Sequence, residues 1–294
     1  MFNAKVLCDS TNISNFNIAG IISRLITMQL TFPRFVLAEF NTHRKFSRNA
    51  ASSRAIPITK MIRDVMENPV IPIHWGKNQK GMQANEVLDS ENAAVCEMDW
   101  LLHRDEAVSR VESMSHHGLH KQIANRLLEP WMWVTVIATG DAGAWNNFFA
   151  LRCHPDAEPH IQKIAYLTKS YLNDLNLSNE VSKNSNVLSH GEWHLPLIGF
   201  EGDEVLSTED KIKVSVGRCA RVSYLTHNGI RDTQADIDLH DRLQQSKHFS
   251  PFEHIARAEL YDDAEYRTLN GNFSKSWVQY RKLLQNEYQD QGKI

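Results

Sequence analysis

The sequence has few of the features that mark membrane, secreted or thiolate-metal proteins. Across 294 residues, no apolar run approaches the length of a membrane span. The four cysteines are widely separated and form no CxxC pair, which is typical of reduced thiols rather than of a disulfide framework. The N-terminal stretch MFNAKVLCDS has no signal-peptide core. We therefore expect a cytoplasmic location and no membrane partner.

An excess of charge of one sign is also missing. The formal net charge is −3 and the pI is about 6.5, so no global basic field favours nucleic acid, and we expect no nucleic-acid partner. There is no GxGxxG after a predicted strand and no GxxxxGK[ST], so neither a dinucleotide-binding Rossmann unit nor a P-loop is supported. Any phosphate site must therefore be local.

A hydrophobic content of 42% in a chain of this length is enough for one large core or two smaller ones.

Alternating apolar positions predict strands over residues 5–8 and 22–32. Helical patterns follow Pro33 and cover residues 90–117 and 119–128. An apolar, aromatic helix is predicted after Pro130, a short helix ending near Arg152, and another helix opened by Pro155. Residues 56–89 are irregular, and 74–83 could be a surface loop or a lid. Residues 175–213 have the composition of a connector.

The segment 35–57 concentrates polar chemistry. Within twelve positions the segment contains His43, Arg44, Ser47, Arg48, Asn49, Ser52, Ser53 and Arg54. Arg offers a planar fork of donors that matches phosphate, and closely spaced Ser hydroxyls add further donors. The segment therefore indicates an anion site. The alternative is a solvated basic helix face with Ser caps.

A second informative stretch is FFALRCHPDAEPHIQ. Arg152 follows an apolar run, and Arg is rarely buried without a partner. Its charge would contact either an anion or carbonyl of a ligand, or an internal carboxylate such as Glu129 or Asp156. Cys153 beside His154 permits a thiolate nucleophile, but adjacent helical residues do not face each other, so a structural thiol is favoured.

Histidine clusters raise the question of zinc. No HExxH and no clustered carboxylate accompanies them, so we expect no metal site and interpret these side chains as solvated helix or loop ends. They are His116, His117 and His120, with His190 and His194 further along the chain.

The third block is VGRCARVSYL followed by HFSPFEHI. Its segments, residues 220–223 (Ala-Arg-Val-Ser) and 248–254 (His-Phe-Ser-Pro-Phe-Glu-His), resemble the opening module of the flavin-dependent thymidylate synthases. A second resemblance is to the signature Arg-His-Arg, seven residues, Ser of the same family. Here it reads Thr42-His43-Arg44, seven residues, Ser52. Thr42 stands in place of the first Arg, and Ala50 in place of a Glu near the nucleotide. The FFALR block around Arg152 is similar to the F-x-x-L-R block of the family.

The resemblance implies an α+β fold with a mixed sheet and long helices. It implies methylation of dUMP at C5 to give dTMP, with methylenetetrahydrofolate, FAD and NADPH as reductant, by a homotetramer with shared sites. Arg152 would contact the pyrimidine as the catalytic residue. The substrate phosphate would be held by Arg126, Ser52, Ser53 and Arg54. The flavin would be lined by His43, Arg44, Asn49, Asn147, Ser223 and His248.

The order of the blocks differs from that of the family. The Ala-Arg-Val-Ser block usually precedes the Arg-His-Arg segment, whereas here it follows the Arg152 block. We therefore expect one catalytic domain, 1–294, in circularly permuted order, with blocks at 1–175 and 214–294 and a connector at 176–213. Residues 276–287 faintly echo the Arg-His-Arg helix, with Asn286 and Glu287 placed like the Asn-Glu pair of the family.

Two other functions stay open at this point. A related flavin- and folate-dependent enzyme could methylate or hydroxymethylate another pyrimidine nucleotide, and the departures at Thr42 and Ala50 are compatible with that. A non-enzymatic nucleotide-binding protein could also use the same fold.

Overall fold

A five-stranded mixed sheet forms the centre of the protein. The computed structural model describes residues 1–14, 22–172, 185–222, 232–260 and 268–285. In spatial order the strands are β3 (Ser47–Ala50), β4 (Trp133–Asp141), β2 (Ser23–Pro33), β1 (Asn3–Asn12) and β5 (Asn186–Leu188). Neighbouring strands are antiparallel, except that β1 and β5 are parallel.

Strand β2 is buried on both faces. Leu25, Ile26, Met28, Leu30 and Phe32 are all inaccessible to solvent, so apolar side chains pack on each side of the sheet. From Ile26 to Phe32 the apolar residues alternate with Thr27, Gln29 and Thr31, which is the pattern that predicts this strand.

The described residues contain eight α-helices. They are α1 (Leu37–Phe40), α2 (Ile58–Glu67), α3 (Ser90–His116), α4 (Lys121–Ala124), α5 (Ala142–Arg152), α6 (Pro159–Tyr171), α7 (Thr208–Arg221) and α8 (Thr233–Gln245). Turns of 3-10 helix cover Arg34–Val36, Asn125–Trp131, Ser250–His254 and Tyr280–Leu283. Helices α5 and α6 cover one face of the sheet, where Trp145, Phe148 and Ile161 join the main core cluster.

A second, three-stranded sheet lies in the C-terminal part. It consists of β6 (Trp193–His194), β7 (Ala256–Ala258) and β8 (Trp277–Gln279), all antiparallel. The segment expected to be a connector therefore contains both β5 and β6. Residues 276–285 of the echo form a strand and a 3-10 turn, not the helix that they echo, and Asn286 and Glu287 lie outside the described residues.

Several local predictions are confirmed. The strand at 22–32 is β2, the strand at 5–8 is part of β1, and the helix at 90–117 is α3. Helix α5 ends at Arg152 as expected, and α6 begins at Pro159, four residues after the predicted opening at Pro155. Its N-terminus is set by Glu158, whose carboxylate accepts hydrogen bonds from the backbone N–H groups of His160 and Ile161.

Other local predictions are wrong. The apolar segment after Pro130 forms β4 and not a helix, because its Trp and β-branched residues pair with β2 on one side and β3 on the other. No strand is predicted within the segment 35–57, but this segment contributes β3. Helix α2 lies in a region expected to be irregular, and the predicted helix at 119–128 is one α-helical turn followed by a 3-10 segment. The α+β class with a mixed sheet and long helices is nevertheless confirmed.

None of the helices in the described ranges is both long enough and apolar enough to cross a membrane.

Candidate functional site

Strand β3 is where the first and third sequence blocks meet. The amide Nδ2 of Asn49 donates a hydrogen bond to the Cys219 carbonyl at 2.8 Å, which ties β3 to α7. The Ser250 hydroxyl donates to the Arg48 carbonyl at 3.1 Å, and Gln279 Nε2 donates to Ser47 Oγ at 3.0 Å. Two blocks separated by about two hundred positions in the sequence therefore form one surface.

An open cleft of about 440 Å³ lies at this junction. No carboxylate is present among the described residues that line it, whereas arginine, histidine, serine and amide side chains are. A cleft of this composition favours an anionic ligand. The lining residues are Asn49, Ala50, Ser52, Arg54, Ala55, His120, Gln122, Ala220, Leu243, His248 and Pro251.

The loop that carries Ser52 and Arg54 is held by hydrogen bonds to its backbone carbonyls. Asn125 is fully buried, and its Nδ2 donates to the carbonyls of Ser53 and Ile56 at 2.8 and 2.9 Å. Lys121 Nζ donates to the Ala55 carbonyl at 2.9 Å. Donors presented by a loop of this kind are already positioned before a ligand arrives, so less conformational entropy is lost on binding.

Ser53 and Arg126 lie outside the described lining of the cleft. The Ser53 hydroxyl is buried and donates to Glu129 Oε1 at 3.0 Å, and Glu129 also forms an ion pair with Arg34 at 3.0 Å. Arg126 is half exposed and only 4.0 Å from the same carboxylate. Neither side chain is among the described residues of the cleft lining, and their phosphate-binding role stays a prediction.

Arg152 forms a second group with the Thr42-His43 segment. Its Nε donates to His43 Nε2 at 3.0 Å, its Nη2 donates to Thr42 Oγ1 at 3.3 Å, and its Nη1 lies 3.7 Å from Glu39. These partners differ from Glu129 and Asp156, the internal carboxylates considered from the sequence. Because Arg can only donate, His43 must be a neutral acceptor at Nε2. Burial, followed by the charges of Arg152 and Arg48, lowers the pKa of His43 to about 4.

The predicted site residues therefore fall into two groups within one chain. Asn49, Ser52, Arg54 and His248 line the cleft, whereas His43 belongs to the group around Arg152. Arg44 and Asn147 are exposed and lie outside the described lining of the cleft. Ser223 lies outside the described residues.

His120 and Gln122 were not predicted as ligand-facing residues. His120 was interpreted as a solvated helix end, and it is in fact the N-cap of α4, with Nδ1 accepting from the Gln122 N–H at 3.2 Å. The sequence signal that could have located this N-cap is Gly118, a turn residue two positions before His120. In the structure Gly118 has a φ of 81°, as such a turn requires. In the part of the chain that is described, no group of three or more His, Cys, Asp or Glu side chains could hold a metal ion.

The Cys153–His154 pair does not have the geometry of an activated nucleophile. His154 Nδ1 accepts a hydrogen bond from the Asp156 N–H at 3.2 Å. Burial raises the pKa of the Cys153 thiol, which disfavours the thiolate.

Comparison with known families decides the assignment. Residues 24–174, just over half of the chain, match the family described as thymidylate synthase complementing protein. The chain belongs to this family. Membership confirms the predicted enzyme class, a flavin-dependent thymidylate synthase-like methyltransferase, and supports a function of the dUMP methylase type. The match ends before the Ala-Arg-Val-Ser block, and the permuted order stays a prediction.

A solved structure shows the same fold at low identity. A UMP/dUMP methylase PolB from Streptomyces cacaoi bound with 5-Br UMP matches with a TM-score of 0.50 and 14% identity, over 61% of this chain and 92% of that one. Thymidylate Synthase X from Helicobacter pylori, with FAD and dUMP, matches with a TM-score of 0.38 and 15% identity, over 52% and 70% of the two chains. No curated protein matches the chain.

Proposed function

We propose that the protein methylates C5 of dUMP to give dTMP, with methylenetetrahydrofolate as the carbon donor and FAD as the cofactor. The observation that carries the proposal is the cleft at β3, in which the two motif blocks of the family meet without a carboxylate in the described lining. Family membership supplies the reaction class.

The residues of the cleft fit a phosphorylated ligand. The Ser52 hydroxyl and the Arg54 guanidinium would hold the substrate phosphate, because both are donors on a loop fixed by Asn125. The apolar side chains of Ala220, Leu243 and Pro251 would pack against the flat ring of a base or flavin. Asn49 and His248 would supply polar contacts to the cofactor. When bound, the reduced flavin supplies the hydride and the folate supplies the carbon unit.

Arg152 would stabilise negative charge that develops on the pyrimidine during methyl transfer. Neutral His43 accepts from Nε and Thr42 from Nη2, so the planar fork is held in one orientation. Arg152 is absent from the described lining of its own cleft. We therefore propose a homotetramer in which the Arg152 group of one subunit completes the cleft of another, as the family resemblance implies. Arg44 and Asn147 would contact the flavin from the same side.

The first test is flavin binding. Purified protein, incubated with excess FAD and then desalted, is expected to keep the absorbance bands of bound flavin. A spectrum without flavin bands would contradict the proposal.

Arg54→Ala is expected to weaken dUMP binding while leaving the fold intact, because Arg54 is exposed.

The second test is the mass of the product. The protein is supplied with dUMP, UMP or dCMP, together with FAD, NADPH and methylenetetrahydrofolate, and each nucleotide is analysed by mass spectrometry. Conversion of dUMP to a product with one added methyl group supports the proposal. Comparing NADPH with NADH in the same assay identifies the reductant.

A second candidate is methylation or hydroxymethylation of another pyrimidine nucleotide. Ala50 lines the cleft where the family has a Glu, which leaves room and removes a carboxylate near the nucleotide. The similar PolB is described as acting on UMP as well as dUMP. Preferential turnover of UMP, or a hydroxymethyl increment, would favour this candidate. Tight nucleotide binding without any product would favour a non-enzymatic role.

We also propose a cytoplasmic location. All four cysteines, Cys8, Cys96, Cys153 and Cys219, are free thiols, which suits a reducing compartment. Fractionation of cells that express the protein at its natural level checks this.

A further inference from the structure

The long helix α3 has one face packed against the protein. Of its 27 residues, all of them described, Val108 and Val111 are buried. Trp100 lies on the same side, and its indole N–H donates to the Val70 carbonyl at 2.8 Å. These side chains pack with Trp131 and with helix α2, so this face of α3 is accounted for.

The opposite face of α3 carries apolar side chains that nothing in the described chain covers. Val95, Met98 and Leu102 are 48%, 55% and 53% exposed. Their i, i+3, i+7 spacing makes one stripe, and at 3.6 residues per turn this stripe points roughly 160° away from the packed face. Exposed acidic residues border this outer stripe, namely Glu91, Asp99 and Glu106. An apolar stripe with a charged border is typical of interaction surfaces.

Residues 74–88, which we call the arm, precede this helix. The arm folds back on itself through Lys77 N–H to Glu86 carbonyl and Leu88 N–H to Trp75 carbonyl hydrogen bonds, both 2.8 Å. Its base is fixed because the Ile73 N–H donates to His160 Nε2 at 3.0 Å. The arm is therefore an ordered element and not a loose loop.

The tip of the arm presents an apolar side chain beside a positive charge. Met82 is fully exposed, and Lys80 is exposed two residues before it. An unbranched thioether adapts readily to an irregular apolar surface. The neighbouring Gln83 Nε2 donates to the Asp156 carbonyl at 3.3 Å, so the tip is held in place while the Met82 side chain stays in solvent.

We propose that the tip of the arm docks on the outer stripe of α3 in a second copy of this chain, and that the contact is reciprocal about a two-fold axis. Met82 would cover Val95, Met98 and Leu102, and Lys80 would approach the acidic border. Direct pairing of two α3 helices through the same stripes would bring acidic borders together, which is unfavourable. The exchange of arms instead brings Lys80 of each copy to the acidic border of the other copy. Because the contact is reciprocal about a two-fold axis, it joins two copies in a closed pair.

The inference goes beyond the proposed function, because it concerns which surfaces join two copies and does not depend on the reaction. The first experiment compares the molar mass of the wild type with that of Met98→Glu by light scattering and sedimentation velocity. We expect Met98→Glu to reduce the mass by half, since a charge is placed in the centre of the contact. The matched control is Val205→Glu, which alters a side chain that is 83% exposed in the loop before α7 and should leave the mass unchanged. Unchanged mass in Met98→Glu, or a monomeric wild type, overturns the proposal.

The second experiment asks whether the contact is between chains. Two differently tagged chains, each with Cys96→Ser, carry Met82→Cys and Met98→Cys respectively, and are mixed and oxidised. A disulfide that links the two tags, and that is missing when either cysteine is omitted, supports arm exchange. No link between the two tags, or a link that forms only within a third variant that carries both substitutions, overturns it.

A charge reversal separates this contact from other interfaces. Lys80→Glu is expected to weaken association, and Lys80→Glu combined with Asp99→Lys is expected to restore part of it. No recovery, with both variants folded by circular dichroism, contradicts the charge pairing. Methyl transfer is measured on the same samples, so a failure of the reaction with arm exchange intact is distinguished from a failure of the interface.

Discussion

Arg152 shows how strongly one residue depends on its surroundings. The guanidinium touches His43, Thr42 and Glu39, and His43 can accept its hydrogen bond because burial keeps the imidazole neutral. The carboxylate of Glu39 is itself partly desolvated, which raises its pKa. The Arg152 guanidinium is therefore oriented mainly by two neutral acceptors, His43 and Thr42, and only weakly paired with Glu39. Its positive charge is largely uncompensated, which suits a side chain that binds an anionic ligand.

Arg152→Lys tests this interpretation. Lysine keeps the charge but loses the planar fork, so we expect turnover to fall on the order of a hundredfold, the usual effect of losing a donor to a developing anion. The melting temperature should change little, because the Glu39 contact at 3.7 Å is weak and partly exposed. Turnover and melting temperature are measured on one preparation, with Arg110→Lys on exposed α3 as the control. A large loss of stability with near-normal turnover would show that Arg152 is structural.

Cys153 offers a second test at the residue scale. Flavin-dependent methylation needs no protein thiolate, and burial raises the pKa of this thiol. Cys153→Ser should therefore keep most of the activity. A loss of turnover of about a thousandfold or more in a folded variant would restore the nucleophile hypothesis.

At the scale of elements, the junction of α7 and α8 separates structural from ligand-facing residues in the third block. Arg218 forms ion pairs with Asp203 at 2.7 Å and Asp236 at 3.2 Å, and Arg221 pairs with Asp236 at 2.5 Å. Ala220, between them, lines the cleft. The Ala-Arg-Val-Ser segment therefore combines one residue at the site with one residue that fastens two helices together.

Gly217→Ala tests how closely these helices approach. A Cβ at position 217 would lie 2.4 Å from the Asp236 carbonyl oxygen, a backbone atom that cannot move aside without shifting α8. We expect a loss of roughly 1–3 kcal/mol in the free energy of unfolding, measured by urea denaturation, as for other overpacked contacts. The control is Gly143→Ala in α5, where the nearest atom is the side chain of Asp141 at 3.3 Å. Equal stability of the two variants would contradict the close approach.

At the scale of the whole molecule, a buried chain of hydrogen bonds joins the central sheet to the C-terminal layer. Ser10 bonds to His194, His194 to Thr27, Thr27 to Thr139 and Thr139 to His254, at distances of 2.7 to 2.8 Å. The two histidines come from β6 and from the 3-10 turn of the third block. Neutral imidazoles are needed here, because each ring is completely buried.

The buried neutral histidines make the stability of the fold sensitive to acid. Burial lowers the pKa values of His194 and His254 to about 3, and that of His43 is lowered to about 4. Between these values and 6.5, the unfolded chain binds more protons than the folded one, so the stability present above pH 6.5 falls as the pH decreases. Each such histidine adds at most about 1.4 kcal/mol per pH unit to the slope.

The measurement is the free energy of unfolding from urea titrations at several values between pH 7 and pH 5. We expect a steep decline, and a smaller slope in His254→Asn than in the wild type. His154→Asn, which replaces an exposed histidine, is the control and should keep the wild-type slope. A wild-type stability that does not change over this range would show that these histidines take up protons equally in the folded and unfolded states, which contradicts their burial as neutral rings.

Much of the fold could be predicted from local patterns. The alternation in β2 and the long helical pattern of α3 each specify their element without help from the rest of the chain, and residue spacing in three blocks was enough to indicate the family. The apolar segment that became β4 was different, because an apolar run has no periodicity that separates a buried strand from a buried helix.

The site was only partly predictable, for a related reason. The sequence by itself determined which residue types carry the chemistry, since Ser52, Arg54 and His248 lie in recognisable motifs and do line the cleft. Only the tertiary structure decided which of them share a surface. It placed His120 and Gln122 in the cleft and gathered His43 and Arg152 into a separate group. These juxtapositions depend on how β3 pairs with β4 and how α7 packs on β3, and such contacts between distant segments leave no periodic signal in the chain.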